Sequence, residues 1–372
     1  MNKIKILYVV STLRNSGPTN QLLGKISNLD KMKFEIKVLT LSPDPKNNRR
    51  KDFDRAEVRV DSLNLSRLEF MLRGKRLLRK YINNYNPDIV HTTGIRADKA
   101  VSILKTNSKH CMTVRNFAHD DYVAKYGSFV GEFMARSNII AMENADFVIC
   151  CSKSLKVMYS NLVSRDLLVV QNGVDTRKFY PLKDIEDKKK LRKSLKLPEN
   201  KRIFIVLGSL IDRKDPLGII NAFKKANTEK KSILILLGDG ELMDQCRDIA
   251  DTSIILKGNV SNVSEYLQAS DVYVSASKSE GLPNSVLEAG RCGIKMILSD
   301  IPQHREVFEK DSSLVQFFNL EYKDELIMLI RNEICNNNNF INYKMADFIK
   351  ENFSNNVMSK KYEEIYKNII YK

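Results

Sequence analysis

The sequence predicts an α/β fold of two doubly wound, Rossmann-like domains, each a parallel sheet covered by helices. Three observations predict it. The chain has 372 residues and 43% hydrophobic content, enough for two ordinary cores rather than one. Short apolar runs alternate with longer stretches of helical period, the pattern of βαβ units. The alternation breaks once, at a charged segment over 175–202 containing Pro181 and Pro198, and then resumes.

Taken in order, the first domain reads as strands at 5–10, 34–41, 88–91, 111–114, 147–151 and 167–170, with helices at 18–29, 68–83 and 129–143 between them. Its opening, MNKIKILYVVSTLRNSG, has the basic start and apolar run of a signal peptide. Lys5 interrupts that run and no small-residue cleavage site follows, so a buried first strand is expected. Part of the connecting segment, 188–195, is expected to be helical. Strands resume at 203–207, 232–237, 254–256, 271–275 and 295–298. After Glu321 the chain reads as helical, apart from a polar turn at 336–339, and 357–371 places its apolar residues on one helical face. The predicted domains are 1–178, with a final helix of about 357–372 returning to it, and 179–356.

No run approaches the roughly 18–20 apolar residues of a membrane span. Six cysteines without framework spacing suit a reducing compartment, and Cys150-Cys151 reads as a strand end rather than a redox pair. The net charge of +16 is unevenly shared: residues 1–175 hold 29 Lys+Arg against 17 Asp+Glu, and residues 176–372 hold 32 against 28. The first half therefore attracts an anionic partner: nucleic acid, an anionic lipid surface or a phosphorylated substrate. No nucleic-acid-binding motif accompanies the charge. No metal cluster is expected either, because Asp52-Phe-Asp54 lies in a basic polar run with no apolar strand beside it.

The stretch SEGLPNSVLE, 279–288, sits between two strands of the second half, where open α/β sheets bind ligands. Pro283 suits a first helical turn, so a helix is expected to begin there. Carboxyl pairs of glycosidases stand about 5–9.5 Å apart. Seven intervening residues, mostly helical at about 1.5 Å each, separate Glu280 from Glu288 by about 10 Å or more. Two contacts on an elongated ligand fit that spacing better than an acid/base pair; a solvated helix face remains the plain alternative. The amides near Asn284 and Ser285 suit a phosphate, and Glu288 suits ribose hydroxyls. Two further strand exits agree in type. One carries Gly208 and the cations Arg213 and Lys214; the other carries Gly238 and Gly240, whose missing side chains would let a ligand approach the backbone.

The run 277–288, with its Glu-x7-Glu, resembles the donor-site signature of retaining glycosyltransferases of the GT-B fold, family 4. LGSLIDRKDP, LLGDGEL and the stretch from LKGNVSNVSEYL to IPQHREV are similar too, as are SGPTNQLL, PDIVHTTG, ADFVICCSKS and VVQNGVDTRKFYP in the first half. The resemblance covers nearly the whole chain, closely in the second half and loosely in the first. It implies two Rossmann-like domains facing a central cleft, the first binding the acceptor and the second the nucleotide-sugar donor. Glu280 then contacts the donor sugar and Glu288 the ribose, while Gly281, Leu282, Pro283, Asn284 and Ser285 line the sugar and phosphates. Lys214 and Arg213 neutralise the diphosphate, and Gly17 and Thr19 offer amides to it. Gly238 belongs to the donor site, and Asn172-Gly173-Val174-Asp175 to the domain junction. The implied chemistry is a front-face displacement with retention, needing no protein nucleophile, no metal and no cofactor beyond the nucleotide-sugar, a UDP-sugar first.

Three positions depart from the family pattern. Ser209 stands where an arginine often follows the strand-exit glycine, and the 16–19 loop has one glycine where two are common. In MTVRNFAHDDY, Arg115 occupies the place of a histidine that faces the acceptor. Either Arg115 and Asn116 recognise an anionic or polar acceptor, or His119 takes the histidine's place; the first is preferred.

The basic, amphipathic stretch 68–83 and the aromatic stretch 122–135 suit an anionic membrane surface. With the charge of the first half, they predict a cytoplasmic enzyme, peripheral on the inner face of the cytoplasmic membrane, acting on a lipid-linked saccharide in bacterial-type surface polysaccharide synthesis. A nucleotide-sugar epimerase of the same fold would keep the ribose contact without an acceptor. A basic nucleic-acid binder would leave the donor motif unexplained.

Overall fold

The computed structural model describes residues 3–336 and 340–371, so most of the expected polar turn at 336–339, and Lys372, lie outside the described residues. The chain forms two compact units, Met1–Gly173 with Asn355–Lys372, and Val174–Ser354. They divide a few residues before the boundaries read from the sequence.

The first unit is built on β1 (Ile4–Val10), β2 (Phe34–Thr40), β3 (Arg59–Ser62), β4 (Ile89–Thr93), β5 (Lys109–Val114), β6 (Phe147–Cys150) and β7 (Leu167–Val169), all parallel, in the order β3-β2-β1-β4-β5-β6-β7. Strands such as IKILYVV carry apolar side chains on both faces because helices cover both. The chain runs outward from β1 to β3, then returns to β4 on the other side of β1. That reversal leaves a crevice at the carboxyl ends of β1 and β4. The last helix, Asn355–Tyr371, buries Met358, Tyr362, Tyr366 and Ile369 in the same core as Leu22 and Ile26.

The second unit holds β8 (Arg202–Leu207), β9 (Ser232–Leu237), β10 (Ile254–Gly258), β11 (Val272–Ser275), β12 (Lys295–Ser299) and β13 (Gln316–Phe318), parallel in the order β10-β9-β8-β11-β12-β13. Its reversal lies between β8 and β11. The helix Ile185–Ser194 is tied to this sheet by Asp271, which accepts from Lys188 at 2.8 Å, Arg192 at 2.6 Å and the Ile203 amide at 2.8 Å, all buried.

Two strands were not anticipated, β3 and β13. Both are sheet edges of four residues or fewer, and RVDS carries too few apolar residues to declare a strand. The basic stretch expected as one helix over 68–83 is helical over 67–85 with a π-type turn at Phe70–Gly74. Its apolar residues are divided: Phe70, Leu78 and Ile82 enter the core, while Leu68, Met71 and Leu72 stay exposed.

Candidate active site

In the second unit, adjacent parallel strands bring distant loops together. The turn after β8 carries Asp212–Lys214, and the loop after β11 carries Glu280. Lys214 donates to one carboxylate oxygen of Glu280, and Arg213 lies 3.4 Å from the other. The Glu280 side chain is only 8% exposed. Burial alone would raise its pKa, but the charges of Lys214 and Arg213 outweigh it and hold the carboxyl at about 2. Glu280 is thus an ionised acceptor, fixed in place by two cations. The Arg213 side chain also donates to the Ser279 carbonyl at 2.5 Å, and the Lys278 amide donates to the Arg213 carbonyl at 2.8 Å, which ties the two loops by their backbones.

The helix expected to start at Pro283 starts one residue later, at Asn284, and runs to Arg291; Pro283 is its N-cap, with extended backbone. Gly281, Leu282 and Pro283 are buried. Ser285 accepts a hydrogen bond from the Tyr273 hydroxyl at 2.8 Å, so β11 itself positions the first turn. Glu288, in the second turn, is partly buried, and its carboxyl is pushed up to about 7 by desolvation, with Lys178 opposing. The carboxyls of the two glutamates of one short motif are therefore shifted in opposite directions.

Packing within their own unit also requires glycine at 238 and 240. A Cβ on Gly238 would stand 1.9 Å from the Gly208 carbonyl oxygen, and one on Gly240 would stand 2.4 Å from that of Leu210. Gly238 also has φ +136. These glycines let the neighbouring strand exit of their own unit pack closely.

One residue of this region was not anticipated from sequence, His304. It is buried, and its Nδ1 lies 2.8 Å from the Ser299 carbonyl, an arrangement that places the proton on Nδ1. Burial lowers its pKa to about 4 while Glu280 opposes the shift, so the ring is neutral. Only its place after β12, a neighbouring strand exit, hinted at it.

In the first unit the crevice between β1 and β4 opens into a cavity of about 670 Å³. Ser16, Pro18 and Thr19 line it from the β1 side, and Gly94, Arg96 and Asp98 from the β4 side. Arg115 and Asn116 line it after β5. The Ser16 and Thr19 hydroxyls are 3.2 Å apart, and Gly17 begins the helix Gly17–Ile26. Arg115 bonds to Asn172 at 3.2 Å, and Asn116 donates to Asp121. His119 does not line the cavity. It is exposed, with Nε2 3.0 Å from Glu132 and Nδ1 3.5 Å from Asp120. Asp52, of the Asp52-Phe-Asp54 spacing, is engaged by Arg49 and Arg55. Among the described residues, no group of three or more His, Cys, Asp or Glu is arranged to hold a metal ion.

His91 is structural. It is buried at the centre of a chain of contacts in which Tyr8 meets Tyr366 at 2.9 Å, Tyr366 meets His91 at 2.7 Å and His91 meets Thr113 at 2.7 Å.

Two parallel-sheet units, each with a crevice at its strand-order reversal, are the architecture of the GT-B fold. The solved structure of Anabaena HepE with UDP and glucose matches this fold over 97% of this chain and 99% of its own, with a TM-score of 0.79 at 15% identity. Residues 16–178 match the model of glycosyltransferase family 4, and residues 187–345 that of glycosyl transferases group 1. The chain belongs to this family. Among its relatives, an Escherichia coli UDP-Gal:α-D-GlcNAc-diphosphoundecaprenol α-1,3-galactosyltransferase is 28% identical, over 96% of this chain and 99% of the relative. The Escherichia coli O-antigen biosynthesis glycosyltransferase WclY is 25% identical, over 98% and 99%.

Proposed function

We propose that the chain is a retaining glycosyltransferase that moves a sugar from a UDP-sugar to a saccharide carried on a lipid diphosphate, in the synthesis of a surface polysaccharide. The observation that carries the reading is Glu280, buried and ionised between Lys214 and Arg213 at the β8/β11 reversal, with Glu288 in the helix that follows. A buried carboxylate accepts strongly from hydroxyl groups, which suits a donor sugar. An ammonium has three donors, so Lys214 can reach a phosphate oxygen without leaving Glu280. Glu288 accepts from the ribose, and the amides of the first turn, at Asn284 and Ser285, lie along the diphosphate.

The anomeric carbon–oxygen bond to the diphosphate breaks as the acceptor hydroxyl bonds to the same face of that carbon. The departing phosphate oxygen takes the hydroxyl proton. Lys214 and Arg213 stabilise the charge that develops on the diphosphate, so the scheme calls on no metal. The first unit receives the acceptor, with Thr19, Arg115 and Asn116 on the wall of its cavity. The substrates in the name of the Escherichia coli galactosyltransferase support a UDP-sugar and a lipid-linked acceptor, and the name of WclY supports O-antigen-type synthesis.

We place the enzyme at the inner face of the cytoplasmic membrane, as a peripheral protein. No helix of the described residues is long and apolar enough to cross a membrane. Leu72 is 88% exposed and Phe129 92%, and Arg73, Lys75, Arg76, Arg79 and Lys80 follow closely on Leu72. Such an apolar and basic mixture suits an anionic lipid surface.

The test is a panel of nucleotide-sugars read by thermal shift, since a ligand of the folded state raises its stability. A UDP-sugar should raise the midpoint, Glu288→Ala should abolish the shift, and Glu280→Ala should lose turnover more than nucleotide affinity. Full transfer activity in both variants would sink the assignment, and isomerisation of a lone donor would favour an epimerase.

A further inference from the structure

The wall of the first unit's cavity includes two residues, Asp98 and Asn138, that each carry a buried oxygen without a partner among the described residues. Oδ1 of Asp98 and Oδ1 of Asn138 are buried and have no hydrogen-bond partner among the described residues. The two side chains are 2% and 5% exposed, come from different helices, Ile95–Ser102 and Ser128–Asn144, and line the same cavity. A buried acceptor without a donor is destabilising, because its lost hydration is not replaced by a hydrogen bond. Two such residues on the wall of one cavity make sense if a ligand that enters it, with a small turn of each side chain, brings the donors.

The surroundings of Asp98 fix its direction. The Thr92 hydroxyl and the Gly94 amide both bond to its carboxyl. Thr92 is itself 2.9 Å from His110 Nε2, so the support continues into the sheet. Burial pushes the Asp98 carboxyl up to about 7, with Thr92, Gly94 and Arg115 opposing. Nearby stand unused donors. Nε of Arg96 and Nε of Arg115 are also buried without a partner among the described residues, although each guanidinium is anchored elsewhere, on Ser42 and Asn172. Anchored cations and unpartnered acceptors on the wall of one cavity complement a ligand that carries hydroxyl groups and an anion together.

We propose that Asp98 and Asn138 are the specificity-determining residues of the acceptor site, each accepting a hydrogen bond from a hydroxyl of one sugar ring, while Arg96 and Arg115 hold the anionic group attached to that ring. The proposal rests on the reading of the second unit as the donor half. The ring then enters as a glycosyl phosphate or diphosphate, a chemistry that both a lipid-linked acceptor and the nucleotide-sugar itself could supply.

The experiment measures binding of three probes by isothermal titration: octyl diphosphate bearing α-linked N-acetylglucosamine, octyl diphosphate without the sugar, and UDP. Wild-type protein is compared with Asp98→Asn, Asn138→Ala, the conservative Asn138→Asp and Arg115→Met, with thermal midpoints checking that each folds. Wild type should bind the sugar-bearing probe more tightly than octyl diphosphate. Asp98→Asn and Asn138→Ala should weaken the sugar-bearing probe about tenfold, the loss of one good hydrogen bond, and leave octyl diphosphate and UDP unchanged. Asn138→Asp should keep most of the affinity, and Arg115→Met should weaken both octyl probes. Equal binding of the two octyl probes to wild type, absence of binding of either, or folded variants with wild-type affinity overturns the proposal. So does a matching loss of UDP affinity in Asp98→Asn and Asn138→Ala, which would assign the cavity to the donor. Failure of wild type to bind UDP at all would instead count against the donor-site reading.

Discussion

The ammonium of Lys214 bonds to the carboxylate of Glu280 across 66 residues of sequence. Neither group is paired by helix spacing. They meet because β8 and β11 are neighbours in the sheet, so the loops at their carboxyl ends share one crevice.

Lys214→Met should therefore disable Glu280 as well as remove a cation. Losing a positioned charge at a developing oxyanion costs about 10²–10³ in turnover. Without Lys214 the Glu280 carboxyl, now held at about 2, should titrate higher. Steady-state kinetics with the donor found by the panel should show the loss in kcat, with the acid limb of the pH profile moved upward. An unchanged acid limb would show that Lys214 does not set the state of Glu280.

Glu288 predicts a pH dependence of opposite sign. Its carboxyl is raised from 4.5 in the reference state to about 7 in the folded protein, so the folded state binds more protons between those values. Its contribution to stability is greatest below 4.5 and is lost as pH rises through about 7. Glu288→Gln should flatten the fall of the urea midpoint between pH 5 and 8. Asp98, raised to about 7 as well, should keep part of the slope in that variant.

The buried cluster at Asp271 serves stability. Removing one partner of a buried charge pair costs about 3–5 kcal/mol, because the remaining charges stay desolvated. Asp271→Ala leaves Lys188 and Arg192, both buried, without that carboxylate. Urea unfolding should report a loss of this size.

Lys25 predicts a gain instead. It is fully buried, its Nζ has no hydrogen-bond partner among the described residues, and it lies over the rings of Tyr8 at 4.6 Å and Tyr362 at 4.1 Å. Desolvation, helped by Arg115, holds its pKa well below the usual lysine value. A lowered lysine pKa destabilises the fold at every pH below the unfolded value. Lys25→Met keeps the contact with the rings and removes the orphan amine, so it should stabilise the protein by about 1–3 kcal/mol at pH 7.

The membrane reading predicts that Leu72→Glu and Phe129→Glu lower co-sedimentation with vesicles containing anionic lipid, with no change in thermal midpoint because both residues are exposed. Salt should weaken the wild-type binding. Binding that is indifferent to salt and to both substitutions would refute it.

The local pattern of the chain determined the two α/β units, most of their strands and the place of SEGLPNSVLE at a strand exit. Burial on both faces makes each central strand a short apolar run, and the helices between declare themselves by their own period. The tertiary structure alone decided which exits face each other. Sheet order set Lys214 and Arg213 against Glu280, and helix packing put Asp98 and Asn138 at one cavity while leaving His119 on the surface beside Glu132. It also assigned the Gly238 turn to its neighbour Gly208 and divided the apolar residues of 68–83 between core and solvent. The physical reason is one of range. Period and burial are properties of neighbouring residues, whereas the state of a carboxyl or the use of an oxygen depends on groups that only the strand order brings within a few ångströms.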